Sequence, residues 1–518
     1  MGNRLGRLGQ WLEQIGGWII AGIGFLMGLA LTYYSAFYTE VYREKEDGSL
    51  TVRDSIAGNL LALAVAALLL CLIYLLARYR RQWLKRIERA LLIFALVFSF
   101  SAGLAWIMMS HDKPSADAGS VCLVAKYMLE GDYPMQPPTY MGFNPQQYGM
   151  VFILHCMYAL FGAGNYVPWQ VMNVLLFPVM IFAGYRILKL LSENEVACIL
   201  YLAMTLVYLP YYFYLPYVYG DFPSVTCGLI LMWQTIAYCK TGKNRFVAGA
   251  AAAAAFGCLV RKNTIIAVIA CCLVLLVYSV KKVHWKPLVM IAVIILTAWG
   301  ADKGVILYYE HLSGQQVSPG IPSACYIMMG LEDTDKGPGW YNGDNYAAYV
   351  HADYDYEAAN EYGKAQVAAR LHEFWENKTY AVDFFRRKIL SQWNMPDCYG
   401  IAETANFTCE REELPGFVQS VYFGAAREVI LKYLNGYQLV LYFFYSVAMG
   451  FILFRRNREM EFYLIPASII GGMLFSVLWE AMSRYVFPYE AYMILPAAMG
   501  MSRMLGCIKN RNGRQDHD

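Results

Sequence analysis

Charge is scarce in this chain, and motifs that carry recognisable chemistry are scarcer. Asp, Glu, Lys and Arg make up 16% of the 518 residues against 58% hydrophobic, and mean hydropathy is +0.36. That balance lies outside the range of soluble globular chains and inside that of multispanning membrane proteins. A net charge of only +3, with the signs mixed, gives a nucleic acid no electrostatic purchase. There is no Walker A loop, no dinucleotide fingerprint, no G-x-S-x-G elbow and no H-E-x-x-H, so a nucleotide-driven step has no seat. The 7 histidines are scattered. The 13 cysteines lie mostly in apolar runs (Cys71, Cys198, Cys258, Cys271, Cys272), as small hydrophobes rather than ligands. No cofactor and no metal are expected. Cys398 and Cys409 can pair only if their loop faces an oxidising compartment. The first apolar run, 17–38, is too long for a signal peptide and lacks a small-residue cleavage site, so it is expected to stay as a span.

What is present is a series of apolar runs, each near the ~20 residues that cross a bilayer. Twelve are read as spans: 17–38, 57–78, 90–109, 167–190, 196–216, 222–239, 246–261, 264–280, 288–307, 437–454, 462–481 and 485–504. A further run, 150–161, is too short and is expected to be re-entrant or surface-lying. With twelve spans, every basic cluster falls on the side of the N-terminus, as the positive-inside rule requires. These clusters include Arg78 to Arg89, Lys240 to Arg245, Lys281 to Lys286 and Arg455 to Arg458. Both termini are then cytoplasmic. The other side receives an acidic loop (39–56), the 110–166 loop, Tyr217–Asp221, Arg261-Lys262-Asn263 and an insertion of 309–435. The insertion opens with turns at 318–322 and 336–344, followed by a polar helix near 355–379 and an amphipathic one at 384–393. Residues 377–379 and 406–408 are glycosylation acceptors by pattern alone. No internal repeat is present.

The candidate site residues sit on that second side. Asp117 falls in the first turn of a short amphipathic helix with Val121, Val124, Ala125 and Met128 on one face. It is either a carboxylate favouring the helix dipole or a general base at the membrane surface. Asp112 and Asp132 are weaker candidates, as solvated loop charges. Asp221, between Gly220 and Pro223, reads equally as a helix N-cap and as a second functional carboxylate. Arg261 and Lys262 interrupt some 35 apolar residues, and cations there are costly without a partner such as a lipid phosphate. Arg484 repeats that logic beside Tyr485, with an internal pair to Glu480 as the plainer account. Tyr140, Asn144, Gln146, Gln147 and Tyr148 offer hydrogen bonds to hydroxyls, or cap their loop.

Taken in order, these pieces resemble the GT-C superfamily of integral membrane glycosyltransferases, which includes the protein O-mannosyltransferases and the lipid A aminoarabinose transferases. The likeness rests on Ser115-Ala116-Asp117 followed by Gly131-Asp132-Tyr133, and on YMGFNPQQYG leading to Leu160-Phe161-Gly162. Asp221, the break at Arg261-Lys262, and Arg484-Tyr485 before Pro488 complete it, over roughly residues 90–505. Two extra N-terminal helices and Ala118, where a second acid follows in better-known members, depart from the pattern. The resemblance implies an all-α polytopic fold, a GT-C-like bundle of about 12 transmembrane helices. Its expected parts are accessory helices (1–89), a catalytic module (90–308) with the acidic loop 110–166, the extracytoplasmic insertion (309–435), and C-terminal helices with a tail (436–518). It further implies a polyprenyl-phosphate-linked sugar donor and a glycan, lipid or protein hydroxyl acceptor. Asp117 would be the base, and Arg261, Lys262 and Arg484 would neutralise the leaving phosphate. A transporter or flippase of a lipid-linked glycan is the alternative. It calls for ionisable groups at mid-membrane and helices broken in paired positions, whereas here the acids gather at helix ends.

Overall fold

A computed structural model of the chain describes residues 2–43, 47–192, 194–405, 413–454 and 459–515. Among the described residues the architecture is helical, with strands in two short hairpins. Among the described residues, nine helices are long and apolar enough to cross a membrane, from Arg4–Phe37 to Met460–Leu478. Two shorter apolar helices, Glu195–Val207 and Arg245–Val260, accompany them. Exposed Leu, Ile, Val and Phe stud the outer faces of the first three helices and of Lys286–Ser313. In water such faces would associate, and in a bilayer they are matched by lipid.

Every expected span contains a helix, with one substantial correction. The run 196–216 helps form a helix only over Glu195–Val207. Pro210 and Pro216 lack the N–H that would continue it, and the chain winds through Tyr208–Gly220 with a single short turn at Pro210–Phe213. This irregular backbone is buried, so its carbonyls need partners. Gln170 donates to Pro216 O at 2.8 Å, and Asn173 donates to Leu215 O at 3.0 Å and Tyr217 O at 3.2 Å.

The helix Tyr148–Phe161 has 14 residues, or roughly 21 Å at 1.5 Å per residue, short of a ~30 Å hydrocarbon core. It packs against Ala116–Leu129, Arg245–Val260 and Lys286–Ser313.

Several of the basic clusters are tied together at one end of the bundle. Lys281 pairs with Glu13 at 2.6 Å, Lys189 with Glu88 at 2.6 Å, and Lys240 with Glu459. Arg455, Arg456 and Arg458 lie outside the described residues. Lys281 and Lys262 stand at opposite ends of one span, so the end carrying Lys262 is the far one. The insertion packs there.

That insertion is more structured than a set of turns. Tyr356–Glu376 and Lys378–Trp393 form the two expected helices. Asn377 caps the second by accepting from Tyr380 N at 3.1 Å. The acceptor pattern at 406–408 and Cys409 lie outside the described residues. Cys398 is buried, its Sγ 3.3 Å from Tyr208 Oη and Glu490 Oε2.

The acidic loop 39–56 is corrected to an antiparallel hairpin, Tyr38–Arg43 with Gly48–Arg53. On the second strand Leu50 and Val52 alternate with Ser49, Thr51 and Arg53, a period of two that suits a strand. It docks on the insertion. Glu40 N donates to Asn394 O at 2.9 Å, and Ser49 N donates to Lys336 O at 3.1 Å.

Candidate functional site

A cavity of about 870 Å³ opens at the end of the bundle where loop 110–147, the Arg261 break, the insertion and the 479–485 turn meet. Asp117, Tyr140, Asn144, Gln147, Arg261, Lys262, Arg484 and Tyr485 all line it. Gln146 joins them, while Asp112, Asp132, Asp221 and Tyr148 do not line the chamber.

Asp117 sits in the first turn of Ala116–Leu129, and the face bearing Val121, Val124, Ala125 and Met128 is buried as the spacing requires. The preceding Ala116 is held at φ 46°, a left-handed conformation that costs an alanine energy and here sets the entry of the helix. The Asp117 carboxylate is half-buried and enters no hydrogen bond or ion pair among the described residues. It is the open acid of the chamber.

The cations are built differently. The helix Arg245–Val260 stops at Arg261, whose backbone is extended at φ −157°, and a short turn over Lys262–Thr264 starts the next helix. Two glycines press against this break. A Cβ on Gly220 would lie 2.0 Å from Val260 O, and one on Gly149 would lie 2.3 Å from Leu259 O. Arg261 donates to Asp221 Oδ2 at 2.8 Å, with Asp221 fully buried. Asp221 is thus neither the N-cap, which is Gly220, nor a lining acid. It is the counter-ion that holds Arg261.

Arg484 donates to Glu403 Oε1 at 2.8 Å and to Tyr217 Oη at 2.6 Å. The expected pair with Glu480 does not form; Glu480 accepts from Tyr485 Oη at 3.0 Å. Both guanidinium groups lie over the same two rings. Arg261 stands 5.7 Å from Tyr219 and 5.5 Å from Tyr485; Arg484 stands 5.5 Å and 5.4 Å from them. Such ring faces stabilise neighbouring cations, and with Asp221 and Glu403 as counter-ions they hold two like charges close. Lys262 lines the cavity too, but its ammonium is engaged by Asp302.

Burial pushes the Glu403 carboxyl up despite the opposing pull of Arg484. The same cause pushes Glu480, two residues beyond the helix Met460–Leu478, up to about 7. Asp112 is raised by burial and by Glu403, and does not line the chamber. Asp132 is exposed and lies outside it.

The amides are organised by the insertion. Asn144 donates to Tyr346 Oη at 2.6 Å and accepts from Tyr326 Oη at 3.1 Å, while Gln147 donates to Tyr219 Oη. Tyr148 is corrected: its ring is buried against Tyr309, 5.6 Å away, and does not reach the cavity. Glu403, Tyr219, Tyr326, Trp340 and Asn345 escaped the sequence reading. A signal was available for Glu403, a lone acid in GIAETA, and for the aromatic pair inside KGPGWYNGD. Among the described residues no three His, Cys, Asp or Glu side chains group as metal ligands.

An unpaired carboxylate facing two fixed guanidinium groups can accept a proton at one point while an anion develops at another. The chain belongs to a family described as conserved hypothetical integral membrane protein, whose model matches residues 13–505. No curated protein matches the chain in sequence.

Proposed function

We propose that this protein is a membrane glycosyltransferase that moves a sugar from a polyprenyl-phosphate-linked donor to a hydroxyl of a glycan, lipid or protein, with inversion. The observation that carries this reading is the convergence of Asp117, Arg261 and Arg484 on one cavity that is rich in aromatic and amide side chains. In the proposed step, the acceptor hydroxyl loses its proton to the Asp117 carboxylate as its oxygen bonds to C1 of the sugar. The bond from C1 to the phosphate oxygen breaks, and the polyprenyl phosphate leaves. Arg261 and Arg484 offset the charge gained by that phosphate, an electrostatic role that fixed donors fill at little reorganisation cost. Val260, Ile265 and Phe475 continue the cavity wall as an apolar path suited to the carrier's first isoprene units. In this reading twelve spans cross a bacterial plasma membrane, both termini are cytoplasmic and the chamber is extracytoplasmic, which the basic clusters at the opposite end support.

The test is sugar release from a radiolabelled polyprenyl-phosphate sugar by purified protein with membrane extract, comparing wild type with Asp117→Asn. Release that disappears in a folded variant is the expected result. Equal release from both overturns Asp117 as the base. No release from either, with movement of the same lipid across vesicles, would make the chain a flippase.

A further inference from the structure

The walls of the chamber differ sharply in charge. Its cations come from the Arg261 break and the 484 turn, whereas of the residues contributed by 309–435 only Glu403 is charged, and Glu403 is bound to Arg484. Apart from Ile321, the rest of that wall is aromatic, hydroxyl or amide. Trp340 stacks on Tyr42 at 6.4 Å and 11°, and Tyr326 stacks on Trp479 at 5.2 Å and 11°.

Asn345 stands in this neutral wall, on the short helix Asp344–His351. It is 1% exposed, and neither its Oδ1 nor its Nδ2 has a hydrogen-bond partner. The Trp340 indole N–H, 1% exposed in the same wall, is unpartnered as well. Buried amides are almost always satisfied, because leaving one unpaired forfeits its hydration for nothing. Here an acceptor and two donors are left without partners on two residues that line one polar cavity. Trp, Tyr and amide groups that together present flat apolar faces and both senses of hydrogen bond match an uncharged pyranose, which has C–H faces and hydroxyls. A uronate or an amino sugar would bring a charge to a wall that holds no free counter-ion, at a desolvation cost the wall cannot offset.

We infer that Asn345 and the Trp340 indole N–H form the sugar subsite of the chamber, and that it selects a neutral, hydroxyl-bearing pyranose. This deepens the transferase reading, naming the class of the transferred group, but binding at the subsite is testable without turnover. Asp117 lines the chamber together with Tyr341 and Tyr346 of this wall and with Arg261 and Arg484, so a sugar held at Asn345 with its phosphate at Arg484 shares the chamber with the proposed base.

The experiment is saturation-transfer NMR on the full chain in micelles with three soluble probes: a methyl hexopyranoside, the corresponding methyl uronoside and an amino methyl glycoside. Wild type is compared with Asn345→Ala, with Trp340→Phe, which keeps a ring and removes the N–H, and with Asp117→Asn. The neutral glycoside should be saturated by wild type and by Asp117→Asn, and weakened about tenfold by losing hydrogen bonds in Asn345→Ala. Trp340→Phe should weaken it less, and both charged probes should be silent. Because Asn345 bonds to nothing in the fold, Asn345→Ala should keep or raise the Tm, where a structural asparagine would lower it. A stronger signal from a charged probe, an unchanged neutral signal in Asn345→Ala, or no signal from any probe overturns the subsite. Neutral binding that follows this pattern without sugar release from a polyprenyl phosphate overturns the transferase and leaves the subsite standing.

Discussion

Arg484 is held by Glu403 at 2.8 Å, a contact between residues 81 positions apart that locks the approach to the C-terminal helix onto the insertion. Both side chains are buried. Removing one partner leaves the other as an uncompensated charge, so Glu403→Ala should cost about 3 kcal/mol or more in unfolding free energy. It should also release Arg484 from its place in the chamber. Thermal unfolding in detergent checks the first effect; an unchanged Tm would mean that the pair contributes nothing to the fold.

Asp117 supports no hydrogen bond in the described structure, so its replacement has little to break. Asp117→Asn should retain the wild-type Tm while the proposed transfer falls roughly 10²- to 10⁴-fold, the usual contribution of a general base. Sugar release and thermal unfolding on the same preparation separate the two. A variant that loses both would assign Asp117 to the fold.

Burial holds the Glu480 carboxyl protonated up to about pH 7, against an ordinary value of 4.5. Between those values the folded chain keeps a proton that the unfolded chain has released, so stability is lost as pH rises through this window, and the loss is complete above it. Glu480→Gln should remove this dependence, gaining stability relative to wild type at alkaline pH and not at acid pH. Denaturation midpoints measured on either side of the window decide it, and parallel curves would sink the assignment.

Gly220 has no room for a side chain, since a Cβ would meet Val260 O at 2.0 Å. Gly220→Ala should push back the strand of chain that carries Arg261, costing about 1–3 kcal/mol by overpacking. The proposed transfer should fall with it although residue 220 touches no substrate. Pairing this variant with Ala116→Gly, where the φ of 46° favours glycine, gives an internal control of opposite sign in the Tm.

Much of the site was legible because charge is so rare in this chain. Arg261 and Arg484 stand out against apolar surroundings, where an ion without a purpose is costly, and Asp117 stands out by its place in the first turn of an amphipathic helix. Their partners were harder to read. Asp221 was visible but its role was not, because the pairing with Arg261 spans 40 positions and two helices. Asn345 sits in a stretch of ordinary composition, where nothing local marks a residue as facing inward. Tyr148 follows Gln147 directly, yet one step along a helical turn swings it from the chamber into the core. The break after Val207 shows that apolar composition does not make a helix where prolines and tyrosines intervene, provided neighbouring amides bond the loose carbonyls. The hairpin at 38–53 was hidden under its charges, its alternation too short to compete with them.

Tyr42, from the first hairpin, stacks on Trp340 in the same chamber that Tyr485 helps to line. The enclosure is therefore drawn from almost the whole length of the polypeptide. A nascent chain holds its first wall for nearly the entire time of its own synthesis before the last one emerges. Fragments released early carry the acid without the cations that face it, so a ribosome that stalls leaves behind an inert membrane segment.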